Sequence, residues 1–116
     1  DFAKIVLYIQ DHMEEQITLE TLANIMCLEK THFLKKFKKE FGTTPIKYLN
    51  DLRLQKAKEL LQFSDMNVTQ IALAVGFQSI HYFSRTFSAN VGITPGAFRQ
   101  LNAKDQFIGA NKLTFH

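Results

Sequence analysis

Phe2, Ile5, Val6 and Ile9 recur at three- and four-residue intervals, the spacing that lines apolar side chains along one face of a helix. They predict a first helix to about His12 or Met13. Thr18 is placed to cap the next helix, with Ile17 and Leu22 set to clamp its first turn. That helix is short and ends near Met26. On a third helix Phe33, Phe37 and Phe41 form an apolar stripe, and the opposite side carries Thr31, His32, Lys35, Lys38 and Lys39. Thr44-Pro45 then opens a long helix to about Gln62, since proline at the first helical position forfeits no hydrogen bond. Leu49, Leu52, Leu60 and Leu61 mark its buried side. It contains no glycine and no internal proline, and at this length reads as a rigid spacer roughly 26 Å long.

The second half of the chain repeats the first. Phe33-Leu34-Lys35-Lys36-Phe37 and Gly42-Thr43-Thr44-Pro45 return fifty residues on as Phe83-Ser84-Arg85-Thr86-Phe87 and Gly92-Ile93-Thr94-Pro95. Tyr48 answers Phe98, and upstream Leu22-Ala23 answers Ile71-Ala72 at an offset of 49. Asn67 with Gln70 has the spacing of a capping box, and Met66 with Ile71 that of a hydrophobic clamp. Gly76 stands where a left-handed turn residue is wanted, and Cys27 holds that place in the first copy. From Pro95 a short helix to about Leu101 follows, and the rest is expected to be mostly irregular. No strand alternation survives anywhere, so the chain is all-α. Its organisation reads as a helix-turn-helix unit over 1–44 with an outer helix at about 30–41, and a linker helix over 45–63. A second unit then spans 64–101 with an outer helix at about 80–90, followed by a tail over 102–116.

Composition changes this picture in one respect. The 116 residues carry 11 Phe, no Trp and a single Cys. That is ample for a packed interior, excludes an intrachain disulfide framework and fits a reducing, cytoplasmic setting. No stretch reaches the ~18–20 apolar residues of a membrane span. The net charge is only +3, but residues 1–28 sum to −4 and residues 29–49 to +4. A basic block on one short segment is the footprint of a phosphate-binding surface. A chain that opens on Asp1 within a helix-like pattern also reads as a piece of a longer protein.

A repeated helix-turn-helix with a cation at the same place in both outer helices points to double-stranded DNA. In such units the second helix enters the major groove, its N-terminal part nearest the base edges. Thr31, His32 and Lys35 occupy that part in the first copy; His81, Tyr82 and Arg85 do so in the second, and Thr31, His81 and Ser84 are candidate short-range base contacts. Arg85 is the foremost base reader, because its planar fork spans guanine O6 and N7, for ~1–3 kcal/mol of discrimination. Lys35 offers a point charge with looser geometry. Lys30, Lys38, Lys39, Tyr82 and Ser88 are expected at the sugar-phosphate backbone, adding affinity without sequence choice.

Catalysis finds no foothold. The four histidines (12, 32, 81 and 116) show no metal-ligand spacing, and no glycine-rich phosphate loop, paired carboxylates or nucleophile motif is present. The chain is therefore read as a non-enzyme without cofactor or metal. The competing reading is a helical protein-interaction module that uses the same lysine-rich face.

From Ile17 to Arg99 the chain resembles the AraC/XylS family of bacterial transcription regulators. The resemblance is carried by Ile71-Ala72-Leu73-Ala74-Val75-Gly76-Phe77 leading into Tyr82-Phe83-Ser84-Arg85-Thr86-Phe87, then Gly92-Ile93-Thr94-Pro95 and Phe98-Arg99. Arg53, Ala57 and Leu60-Leu61 match the family's linker helix. It implies seven helices in two homeodomain-like three-helix units, joined by a long helix, with both outer helices in successive major grooves on one face of the duplex. It also implies activation through RNA polymerase, and a separate effector-binding or dimerisation domain. Arg53 becomes a backbone contact or a helix anchor, the two roles standing equal. Three positions depart from the pattern. Glu29 replaces a Ser-type cap, so the third helix is expected to start on a weaker or displaced cap. Cys27 replaces glycine, where a left-handed side chain costs ~1 kcal/mol or more. Leu34 replaces a polar residue and would meet a thymine methyl.

Overall fold

The computed structural model describes residues 2–103, and among these every regular element is helical. They are α1 (Ala3–His12), α2 (Leu19–Ile25), α3 (Lys30–Phe41), α4 (Pro45–Phe63), α5 (Val68–Ala74) and α6 (Ile80–Val91), followed by α7 at residues 95–103. The expectation of an irregular tail falls largely on 104–116, outside the described residues. The chain divides into two compact units, Asp1–Gln55 and Lys56–His116, and the division falls inside α4.

In the first unit Ile5 and Ile9 of α1, Leu22 and Ala23 of α2, Phe33 and Phe37 of α3 and Leu49 of α4 are essentially closed to solvent. Phe2, Phe41 and Tyr48 close over this cluster as half-buried flanks. In the second unit Ala57, Leu61, Ile71, Ala72, Val75, Phe77, Phe83 and Phe87 are buried. The repeat is thereby preserved as packing. Phe37 meets Tyr48 edge-on at 5.8 Å and 74°, and Phe87 meets Phe98 at 5.6 Å and 77°. Edge-to-face pairs of this kind add about 0.5–1.5 kcal/mol beyond the area they bury. Along α4 the most buried apolar residues are Leu49, Leu54, Ala57 and Leu61, while Leu52 and Leu60 are half-buried. The buried stripe is broad because the one helix contributes to a core in each unit.

Local chemistry fixes where the helices start and stop. The Thr18 hydroxyl accepts from the Thr21 N–H at 3.1 Å. Asn67 and Gln70 complete a capping box, at 2.8 Å and 2.9 Å. Both short helices end in the same turn: the Leu28 N–H returns to the Ala23 carbonyl at 3.0 Å, and the Phe77 N–H to the Ala72 carbonyl at 2.9 Å. Such a turn needs one left-handed residue. Gly76 supplies it at φ 107° and Cys27 at φ 56°. Cys27 is exposed and makes no disulfide, so its side chain is carried at a backbone cost. Cys27→Gly is therefore expected to raise stability by about 1 kcal/mol, read as a higher midpoint in urea unfolding; an unchanged or lower midpoint would refute the strain.

Two arginines fasten helix ends that would otherwise leave carbonyls unpaired. Arg53, only 7% exposed, donates from Nε to the Met13 carbonyl and from Nη2 to the Glu15 carbonyl, both at 2.7 Å. In the second unit Arg99 donates to the carbonyls of Leu61 at 3.0 Å, Ser64 at 3.2 Å and Leu60 at 3.4 Å. The ends of α1 and α4 are thus tied down by a cation, buried at Arg53 and half-buried at Arg99, that also suits the negative end of a helix dipole.

Candidate nucleic-acid interface

On α3, Thr31, Lys35 and Lys38 follow one another at helical spacing and are exposed, as are Lys30, His32, Lys36 and Lys39 beside them. Leu34 is half-buried at the flank of this face. On α6, His81 and Arg85 are exposed, Ser84 and Ser88 are half-buried, and Tyr82 is 43% exposed. The Tyr82 ring also lies 5.7 Å from that of Phe77, so it is part of the packing as well as of the surface. Each unit therefore gathers its own candidate residues on the side of its outer helix that faces away from its core. Arg53 is the exception. Its guanidinium is enclosed and donates to two carbonyls, which favours the anchoring role over a backbone contact.

The start of α3 corrects an expectation. Glu29 is a full cap, neither weak nor displaced: its two carboxylate oxygens accept from the Thr31 N–H at 3.0 Å and the His32 N–H at 3.1 Å. A two-oxygen carboxylate satisfies two of the orphan donors, where a hydroxyl satisfies one. The Thr31 N–H first, then the His32 N–H, hold the Glu29 carboxyl below its ordinary value, helped by the Thr31 side chain and the nearby His32. Because the folded value is depressed, the cap's stabilisation is complete above the unfolded value of about 4.5 and fades as pH falls through the folded value. The advantage of the wild type over Glu29→Gln should accordingly shrink as thermal melts are taken from pH 6 towards pH 3; a constant gap would contradict the charged cap.

Ion pairing differs between α4 and the face of α3. Lys47 of α4 is paired with Asp51 at 3.3 Å and Lys56 with Glu59 at 3.7 Å. Among the described residues none of the five lysines of α3 stands in an ion pair. The chain's three arginines divide likewise: Arg53 and Arg99 serve backbone carbonyls, and Arg85 is exposed. Sequence reasoning missed Arg99 as an anchor. It also missed Ser79, whose hydroxyl caps α6 by accepting from the Tyr82 N–H at 3.3 Å. The Ser79 signal was legible as a small hydroxyl residue directly ahead of an apolar helix. Among the described residues no group of three metal-ligating side chains assembles, and no helix is long and apolar enough to cross a membrane.

A duplicated helix-turn-helix arrangement whose outer helix, α3 or α6, presents an exposed polar face in each copy defines a helix-turn-helix DNA-binding domain. A family model described as a helix-turn-helix domain matches residues 22–101. The chain belongs to the AraC-type helix-turn-helix family of transcription regulators. It is 39% identical over 93 residues to the MmsAB operon regulatory protein of Pseudomonas aeruginosa, covering 80% of this chain and 30% of that protein. It is 36% identical over 96 residues to the transcriptional activator RhaS of Escherichia fergusonii, covering 83% of this chain and 34% of that one. The chain thus spans about a third of the length of these curated relatives. Among solved structures it resembles the DNA-binding domain of the global transcriptional factor AdpA in complex with a target DNA. The TM-score is 0.82 at 30% identity, covering 86% of this chain and 90% of that one.

Proposed function

We propose that this domain reads double-stranded DNA in a sequence-specific way, inserting α3 and α6 into successive major-groove segments. The observation that carries the reading is the exposed, uncompensated cationic face of α3, matched on α6 by the exposed Arg85. Thr31, His32, Leu34 and Lys35 are the base-edge residues of the first unit, and His81, Ser84 and Arg85 those of the second. Lys30, Lys38, Lys39, Tyr82 and Ser88 lie against the sugar-phosphate backbone and set register and affinity. Leu34, half-buried at the edge of its face, offers apolar contact suited to a thymine methyl.

The intact protein on this reading is a cytoplasmic, nucleoid-associated regulator, and an activator that recruits RNA polymerase. The activator assignment is supported by the similarity to RhaS, named as an activator. A separate domain for effector binding or dimerisation belongs to the same proposal, in keeping with relatives about three times as long as this chain.

The test is selection from a randomised duplex pool at two salt concentrations, with the bound fraction sequenced. Two short motifs about one helical turn (~34 Å) apart are expected to emerge, and to be held less tightly at the higher salt. Binding with no enrichment would refute sequence-specific reading by this domain. No binding even at low salt would remove DNA as the ligand and favour a protein partner for the α3 face.

A further inference from the structure

If α3 and α6 both enter the major groove as proposed, they are not equivalent readers. We infer that α3 chiefly holds the duplex by charge, and that sequence choice is concentrated on α6 and centres on a guanine taken by Arg85. This rests on the DNA-binding reading above and adds a division of labour to it.

The chemistry of the two faces differs position by position. At matched places in the repeat, Lys35 stands against Arg85, Lys38 against Ser88, Lys39 against Ala89 and Leu34 against Ser84. The α3 cations are all lysines, exposed and outside any ion pair. An ammonium is a point charge on a flexible stem, and it accepts phosphate oxygens over a wide range of geometry. A face built from it gains affinity for any duplex and little preference among them. On α6 the only formal cation is Arg85. Its fork fixes two parallel hydrogen bonds in one plane, the arrangement that guanine O6 and N7 complement and the other bases do not.

The shoulders of the two helices reinforce the difference. Long side chains at Lys38 and Lys39 reach outward from the last turn of α3 and meet phosphates while the helix axis stands off. Ser84, Ser88 and Ala89 around Arg85 are short, and Ser84 and Ser88 are half-buried. They let the α6 backbone approach the base edges closely enough for Arg85 to bond in-plane. With Arg53 and Arg99 committed to carbonyls inside their own units, no other arginine of the chain can supply a bidentate base contact. The operator should therefore be unequal in information: a well-defined motif containing guanine under α6, and a more degenerate one under α3.

The experiment uses the domain as it stands, with affinities measured on the selected duplex and on a scrambled duplex of the same length and composition, across a salt series. Arg85→Lys keeps the charge and removes the fork. It is expected to lose about 10- to 100-fold on the selected duplex and to change little on the scrambled one. Lys38→Gln/Lys39→Gln should weaken both duplexes alike and make the slope of log K against log salt shallower by about 2, leaving the ratio between duplexes intact. All three positions are on the surface, and an unchanged helical circular-dichroism spectrum confirms that each variant is folded. If the lysine variant collapses the ratio, or Arg85→Lys preserves it, the division of labour is overturned. If the wild type binds neither duplex, the DNA reading itself fails, a result distinct from either.

Discussion

Raising the salt from 50 to 200 mM should weaken duplex binding by this domain about a thousandfold. The figure follows from counting the cations the outer helices present. Five lysines of α3 and Arg85 of α6 face solvent and make no ion pair among the described residues. If each displaces about one counterion, whether it lies against a phosphate or, like Lys35 and Arg85, at a base edge between the phosphates, the slope of log K against log salt is about −5, and a fourfold rise in salt then costs roughly three orders of magnitude. Lys47 and Lys56, already held by Asp51 and Glu59, should contribute far less. Neutralising both should leave the slope nearly where it was. Anisotropy of a labelled duplex over that salt range measures the quantity directly. A slope shallower than about −2 would mean that most of these lysines never reach a phosphate, and would exclude the face of α3 as the main contact surface. A protein partner held by apolar packing gives the shallow response.

How much of this was legible beforehand depends on the range of the interaction involved. The period of Phe33, Phe37 and Phe41 is a local property of a helix, and both inner members of that stripe are fully buried. The caps at Thr18 and Asn67 act within three residues of chain, and the left-handed turns at Cys27 and Gly76 within five; each was readable from its own neighbourhood. The all-helical fold and its duplication follow from such local signals. Glu29 was misjudged although it too is local. By sequence a carboxylate reads as a poorer substitute for a hydroxyl, whereas its second oxygen reaches a second N–H. Arg53 was undecided for a different reason. Its two acceptors lie 38 and 40 residues away, and nothing in the local pattern says whether an arginine on a helix faces solvent or the end of another helix. Arg99, bonded across 35 to 39 residues, was invisible for the same reason. Which bases the outer helices meet depends on DNA the chain does not contain.

Phe37→Ala is expected to destabilise the first unit by about 3–5 kcal/mol, the cost of removing a large aromatic from a closed core. The ring is fully buried and has four aromatic neighbours: Phe41 at 4.4 Å, Phe2 and Tyr48 at 5.8 Å and Phe33 at 5.9 Å. It holds α3 to the start of α1 and to α4 at once, so neighbours on three elements would have to move together to fill the space. Against a typical total of about 5–15 kcal/mol, such a loss leaves this unit at the edge of unfolding. Phe87, its counterpart, has Phe83 at 5.7 Å and Phe98 at 5.6 Å as ring partners. Phe87→Ala should therefore cost less than Phe37→Ala, and the order of the two urea midpoints is the decisive reading. The loss has a functional consequence. The lysines of α3 are presented by a helix whose opposite face is pinned by Phe33 and Phe37, so Phe37→Ala should lower DNA affinity without touching a contact residue. Phe37→Leu keeps most of the volume and should recover much of the stability and affinity together. A Phe37→Ala midpoint close to the wild-type value would mean that the aromatic cluster does not hold the unit, and the account of how α3 is positioned would fall with it.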